Sequence, residues 1–285
     1  MKKKSLLSLE KKKAFQNTIL EYYKTSGRDL PWRHTTNPYH ILISEVMLQQ
    51  TQVDRVIPKY NSWLRRFPSL QSLASAPLKE VLKEWQGLGY NRRALNLHKT
   101  ARILVDSFGG KIPKDRALLK TLPGIGEYTS GSILTFAHNT PLVLIETNIR
   151  SVFLEYFFSR RKNTIHDKEL IPLIEESLMR KDPRKWYSAL MDYGAHIKST
   201  RGNANKKSVH YRTQSSFKGS HRELRAHLID IILHSSTPLT YKKIEKFISI
   251  ETKYDVDKTL SLLEKEGFIR KKDKKYSIPN NNEKE

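Results

Sequence analysis

Two carboxylates stand out for what surrounds them. Glu45 lies in Ser44-Glu45-Val46-Met47-Leu48-Gln49-Gln50-Thr51, which reads as a helical run dense with glutamines, and Glu146 opens Glu146-Thr147-Asn148-Ile149-Arg150 after an apolar stretch. Between them, Leu122-Pro123-Gly124-Ile125-Gly126 reads as a glycine hairpin. Two acids flanking a glycosidic bond can break it, one protonating the leaving group and the other stabilising the cationic sugar. Gly124 and Gly126 allow close backbone approach. The N–H groups there, with the start of the helix from Tyr128, would form a donor nest for one phosphate. Such a contact positions DNA without reading its sequence. Burying Glu45 on an otherwise apolar helix face without a role would be costly, which favours function. The plainer readings are an ordinary turn at the hairpin and a Glu146 that only caps the helix after it.

The 285 residues carry 52 Lys and Arg against 29 Asp and Glu, a formal charge of +23 and a pI near 10.0. That excess favours polyanions, nucleic acid before anionic membrane. A hydrophobic share of 38% is enough for a core. The absence of cysteine excludes disulfides, cysteine-ligated iron–sulfur clusters and thiolate zinc sites. The ten histidines show no HExxH-like spacing, so no metal or other cofactor is expected. Glu10 and Lys11 to Lys13 interrupt any apolar signal core, and no apolar run approaches the roughly 20 residues that span a bilayer. The expectation is a soluble cytoplasmic monomer with no membrane partner.

Helices must position these groups. Apolar spacing predicts them over 14–26, 41–52, 53–67, 70–76, 78–85, 92–108, 116–122, 129–138, 149–158, 168–180 and 183–197, with Pro68, Pro77, Pro113 and Pro123 at boundaries. Val143-Leu144-Ile145 alone looks extended, as a short strand or a loop nearing the core. The fold class is therefore mainly α rather than alternating βα. Residues 199–219 are polar and basic with little to bury, so they read as a loop or linker. From 220 to 279, helices over 221–234, 241–248 and 255–266 and a basic two-strand pattern outline a small winged-helix-like domain. A polar tail, 280–285, follows.

Leu30-Pro31-Trp32-Arg33, Ser44 to Val53, Gly87-Leu88-Gly89-Tyr90 with Arg93-Ala94, and Leu122 to Gly131 occur in that order. Together they resemble the MutY-type adenine DNA glycosylases of the helix-hairpin-helix, or endonuclease III, superfamily, over about 14–198. The resemblance implies a glycosylase domain over 1–198, with two helical subdomains around a DNA-binding cleft. It implies a base-excision-repair enzyme that removes adenine mispaired with guanine or 8-oxoguanine in double-stranded DNA. Glu45 then protonates the adenine ring, which needs a carboxyl whose pKa is raised toward neutrality. Glu146 and Asn148 complete the catalytic set with Tyr128, and Leu30, Trp32, Arg33 and Asp192 belong to the base pocket. Leu48, Gln50, Thr51 and Tyr90 act on the DNA when adenine is flipped out, and Leu122, Gly124 and Gly126 grip its backbone. Tyr128 stands where bifunctional relatives carry a catalytic lysine; with no amine there, no Schiff base forms at that site. A monofunctional enzyme is implied.

Three departures accompany the resemblance. Glu146 replaces the family's aspartate, followed by Thr147 instead of glycine. Lys198 stands at the first of four cluster cysteines, so the basic loop, with Arg201, Lys206 and Lys207, would contact DNA by charge alone. Without metal it should be held by packing or ordered on DNA. The family's domain for reading 8-oxoguanine is replaced by the winged-helix-like unit, which could bind DNA or a protein. Alternatives are a mismatch thymine or uracil glycosylase, since some thymine-removing relatives also carry this tyrosine, and a non-catalytic DNA-binding protein.

Overall fold

The computed structural model describes residues 5–279, so the expected tail at 280–285 lies outside them. The chain is mainly helical. In order come α1 (Leu9–Ser26), α2 (Pro38–Leu48), α3 (Val53–Arg66), α4 (Leu70–Ser75), α5 (Leu78–Trp85) and α6 (Arg92–Phe108). Next are α7 (Arg116–Thr121), α8 (Glu127–His138), α9 (Thr147–Phe158), α10 (Asp167–Ser177) and α11 (Pro183–Thr200). The last part holds α12 (His221–His234), β1 (Leu239–Thr240), α13 (Tyr241–Phe247), α14 (Val256–Glu266), β2 (Arg270–Lys272) and β3 (Lys275–Ser277). No helix among the described residues is long and apolar enough to cross a membrane.

The chain forms two compact units. One comprises residues up to Glu45, 114–120 and 125–213. Its core is aromatic: Phe15 of α1 meets Phe153 of α9 at 5.2 Å and Trp186 of α11 at 5.8 Å between ring centroids. The other comprises 46–113, 121–124 and the chain from Gln214 on. There α4 and α5 pack on α6, and Trp63 of α3 meets Trp85 of α5 edge to face at 5.5 Å. Residues after 220 run helix, strand, helix, helix, hairpin, with an antiparallel sheet in the order β1-β3-β2. This is the winged-helix order. Its first strand is only two residues long, too short for any alternation to reveal in the sequence.

Two local expectations change and one open choice is decided. The helix carrying Glu45 ends at Leu48, and Gln50 adopts a left-handed φ of 56°. Of the two forms open to Val143 to Ile145, the structure has the loop nearing the core: the Leu144 N–H donates to the Tyr187 hydroxyl at 3.0 Å, which donates to Leu142 O at 2.8 Å. The basic loop does bury something. Asn205 is buried, and its Nδ2 donates to Thr147 O at 3.0 Å and to the Ser151 hydroxyl on α9. Ile165 and residues 207–209 add backbone bonds. Hydropathy does not register this docking, because amide hydrogen bonds do the work of apolar contact.

Candidate active site

α2 is apolar on nearly every side, and Glu45 sits in it with only 8% of its surface exposed. Burial pushes the Glu45 carboxyl up to about 7; hydrogen bonds from Ser132 and Tyr128 pull it down, and the charge of Glu146 adds to the rise. A group with that pKa is about half protonated at neutral pH and can give up its proton there. Burial, with the charges of Glu45 and Glu146, holds the Tyr128 phenol well above its ordinary range, so it stays a neutral donor to Glu45. Ser132 was not foreseen from sequence. Its signal is spacing: Tyr128 and Ser132 are four residues apart on α8 and share one helix face.

Glu146 caps α9. Its Oε1 accepts from the Asn148 and Ile149 N–H groups at 2.8 and 2.9 Å, and Oε2 accepts from Asn148 Nδ2 at 3.3 Å. Burial raises its carboxyl, against those three donors and the nearby Arg150. Capping and coupling to Glu45 are thus properties of one carboxylate, and the sequence had posed them as alternatives. The helix grips one oxygen, and the second keeps a single amide partner. The added methylene leaves the cap geometry satisfied.

Gly194 fixes where this cap can stand. A Cβ there would lie 2.2 Å from Asn148 O and 2.8 Å from its Cα, so α11 approaches the α9 backbone as only glycine permits. Gly194→Ala must push the two helices apart. Overpacking of this kind costs about 1–3 kcal/mol, and moving a catalytic group by about 1 Å costs on the order of 10²-fold in rate. Thermal melting and single-turnover kinetics should therefore both register it, and an unchanged rate would show that the Asn148 segment has no positional role.

Of the expected pocket residues, Leu30 and Trp32 are buried. Arg33 and Asp192 meet as a two-pronged ion pair at 2.7 and 2.8 Å, and Arg28 adds its Nε at 2.6 Å and its N–H at 2.8 Å. Burial would raise the Asp192 carboxyl, but these donors hold it below its ordinary value. Four donors fill both oxygens. In this arrangement Asp192 ties the 28–33 loop to α11 and has no lone pair left for a base.

The other unit carries Leu48, Gln50, Thr51 and Tyr90, and there the organiser is Arg93, which the sequence offered only as part of a motif. Its Nη1 donates to Val46, Met47 and Gln49 carbonyls at 2.7–2.9 Å. Its Nη2 donates to the Thr51 hydroxyl and to Leu88 and Gly89 carbonyls at 2.9–3.1 Å. One buried guanidinium thus ends α2 and joins the turn holding Gln50 to the turn holding Tyr90, whose φ is 49°. Gln50 and Tyr90 are exposed, Leu48 half-buried, and Thr51 is spent on the Arg93 bond and on Leu88 O at 3.2 Å. Arg93→Met orphans several of these carbonyls at about 1–3 kcal/mol each. The expected loss of roughly 3 kcal/mol or more can be read by chemical denaturation.

In the hairpin, Leu122 is buried while Gly124 and Gly126 are exposed. Gly124 has a φ of +79°, which excludes most side chains; Gly126 is the N-cap of α8 with open space where a Cβ would stand. Backbone donors there are open to a close-lying group.

Residues 43–176 match the model of the HhH-GPD superfamily, base excision DNA repair proteins. The adenine DNA glycosylase of Mycolicibacterium smegmatis is 31% identical over 80% of this chain and 83% of its own length. This chain belongs to the helix-hairpin-helix base-excision repair superfamily. The adenine DNA glycosylase of Buchnera aphidicola is 42% identical over 64% of the chain, which spans about half (52%) of that relative. A solved thermostable thymine-DNA glycosylase superposes with a TM-score of 0.60 at 29% identity, covering 70% of this chain and 93% of that one.

Against the cluster that the superfamily resemblance implies, this chain has no cysteine, and among the described residues no group of three or more His, Asp or Glu could hold a metal ion. The residues do not fit an iron–sulfur cluster. The segment is instead held by Asn205 and by Lys207, whose ammonium donates to Phe158 O at 3.4 Å and to Ser159 O at the end of α9. Arg201 pairs with Glu155 at 3.3 Å. Of the three cations expected to meet DNA from this loop, two have protein partners, and Lys206 is exposed.

Proposed function

We propose that this superfamily member is a monofunctional base-excision-repair DNA glycosylase that hydrolyses the N-glycosidic bond of adenine mispaired with guanine or 8-oxoguanine in duplex DNA. The observation that carries it is Glu45: a buried carboxyl with a pKa of about 7, coupled to Glu146. Glu45 gives its proton to the adenine ring, and the bond from the sugar to the base breaks with its electron pair leaving on adenine. Glu146, with Asn148 on Oε2, stabilises the cationic sugar. Water then adds to the sugar carbon and loses a proton, leaving an abasic site. Tyr128 provides no amine for an imine with the sugar, so the strand stays intact.

The +23 charge and the exposed hairpin donors support DNA as the partner, in the cytoplasm with the nucleoid. The glycosylase domain is assigned to 1–198, the docked basic segment to 199–219 and the winged-helix-like domain to 220–279. Removal of thymine or uracil is the second reading, favoured by Tyr128 and by the thymine-DNA glycosylase likeness. Labelled duplexes carrying A:8-oxoG, A:G, T:G and U:G, incubated and then treated with alkali, separate the two. Scission in the adenine duplexes, only after alkali, is expected. Scission in T:G alone would overturn the adenine assignment, and none in any duplex would leave a non-catalytic DNA binder.

A further inference from the structure

Two serines on α8 make the same local bond in different company. Ser130 Oγ donates to Glu127 O at 3.1 Å and Ser132 Oγ to Thr129 O at 3.0 Å, and both serines are fully buried. Serines inside helices commonly reach back to a carbonyl in this way. Ser132 has a second partner. It stands one turn beyond Tyr128 on the same helix face and, like Tyr128, hydrogen-bonds the Glu45 carboxyl. All three belong to one compact unit.

A hydroxyl has one hydrogen and two lone pairs. Thr129 O and the Glu45 carboxyl compete for the Ser132 hydrogen, and the winner depends on the state of Glu45. While the carboxyl holds its proton, its O–H donates to a Ser132 lone pair, and the serine hydrogen stays on Thr129 O. Once that proton has gone, the carboxylate only accepts. A hydrogen bond to an ionised acceptor is roughly twice as strong as one to a neutral carbonyl, so the hydroxyl turns toward Glu45. Thr129 O is not orphaned, because inside α8 it keeps its helical N–H partner. Tyr128 from α8 and Glu146 at the start of α9 are the titratable groups that act on Glu45. Neither can change partners in this way: the phenol already donates to Glu45, and the Glu146 carboxylate is gripped by the α9 N–H groups.

On the reading of Glu45 as the proton donor, we propose that Ser132 is a positioning residue for the acid step, its hydroxyl turning from Thr129 O to Glu45 as Glu45 loses its proton. In that step the Glu45 O–H bond breaks, an N–H bond forms on adenine, and the electron pair stays on the carboxylate, where Ser132 and Tyr128 both donate. Ser132→Ala removes a donor that favours only the ionised carboxyl, so Glu45 becomes a weaker acid. Loss of one such bond moves a carboxyl upward by about one unit. The falling limb of the rate should therefore move up from about 7 by that amount. Below pH 6, where both proteins hold the proton, the variant should be slower by roughly 3- to 10-fold, because a weaker acid gives up its proton less readily. The two profiles then approach each other at high pH.

Two measurements on the full chain test this. The first is the single-turnover rate of adenine release from an A:G duplex between pH 5 and 9, for wild type, Ser132→Ala and Ser130→Ala. The second is the carbon-13 NMR titration of the Glu45 carboxyl without DNA, its signal assigned by its absence from Glu45→Gln. Ser132→Ala should shift limb and titration together and lose rate at low pH. Ser130→Ala deletes the same back-bond from the same helix and should do neither. Each change removes one atom and installs the better helix former, so both variants fold. A Glu45 that titrates in Ser132→Ala as in wild type, or a rate loss equal at every pH, overturns the proposal. So does a Ser130→Ala that moves Glu45 as far as Ser132→Ala does. Failure of wild type to release any base would overturn the proposed activity, while the NMR titration still reads the Ser132 bond.

Discussion

Glu45→Gln will abolish base release and yield a more stable protein. The amide keeps the volume and much of the hydrogen bonding toward Ser132 and Tyr128, and it has no proton to give. Loss of a general acid lowers the rate by about 10²–10⁴-fold, and single-turnover assays should fall in or beyond that range with DNA affinity retained. The stability gain follows from the same burial. Below the unfolded pKa of 4.5 the carboxyl is neutral in both states. Between 4.5 and about 7 the folded state keeps a proton that the unfolded state releases, so stability falls as pH rises through this window and stays lower above it. Relieving that penalty stabilises the variant by up to about 3 kcal/mol above pH 7. Melting curves of the two proteins should converge at pH 4.5 and separate at pH 8.

Glu146→Gln will slow base release by about 10²–10³-fold while changing stability by less than about 1 kcal/mol, because an amide oxygen still accepts the N-cap bonds. It carries a second signature. The charge of Glu146 is one of the groups that raises Glu45, so its removal lowers the Glu45 pKa. Residual activity should therefore decline at a lower pH than in the wild type. A Glu146 that only capped α9 would leave both the rate and the pH profile in place. Measuring the pH–rate profile beside the melting temperature distinguishes the two roles.

Much of the architecture was legible in the sequence because helices of this length announce themselves by apolar spacing, and their proline boundaries mark where a missing N–H does least harm. The site was legible as far as residue types can carry it: Glu45, Tyr128, Glu146 and Asn148 lie in one compact unit. What escaped was set by contacts between segments far apart in sequence. Gln50 and Thr51 read as helix because the run is helix-compatible; the stop is imposed by Arg93, more than forty residues on. No local pattern explains Gly194; only the passage of Asn148 beneath it accounts for the missing Cβ. Asp192 matched a pocket position, yet Arg28 and Arg33 occupy its oxygens. Packing was one of two expectations for the basic loop, but its polarity gave no sign that Asn205 would be the residue whose buried amide holds it to α9.

The account turns on a protonated Glu45 acting beside a charged Glu146. Its most direct test is the release of free adenine from an A:G duplex, followed by chromatography under single-turnover conditions between pH 5 and 9, with wild type and Glu45→Gln in parallel. The predicted result is a wild-type rate that declines as pH rises through about 7, with no adenine released by the variant at any pH despite bound DNA. A variant that releases adenine at the wild-type rate, or a wild-type rate that climbs through neutral pH, would contradict it.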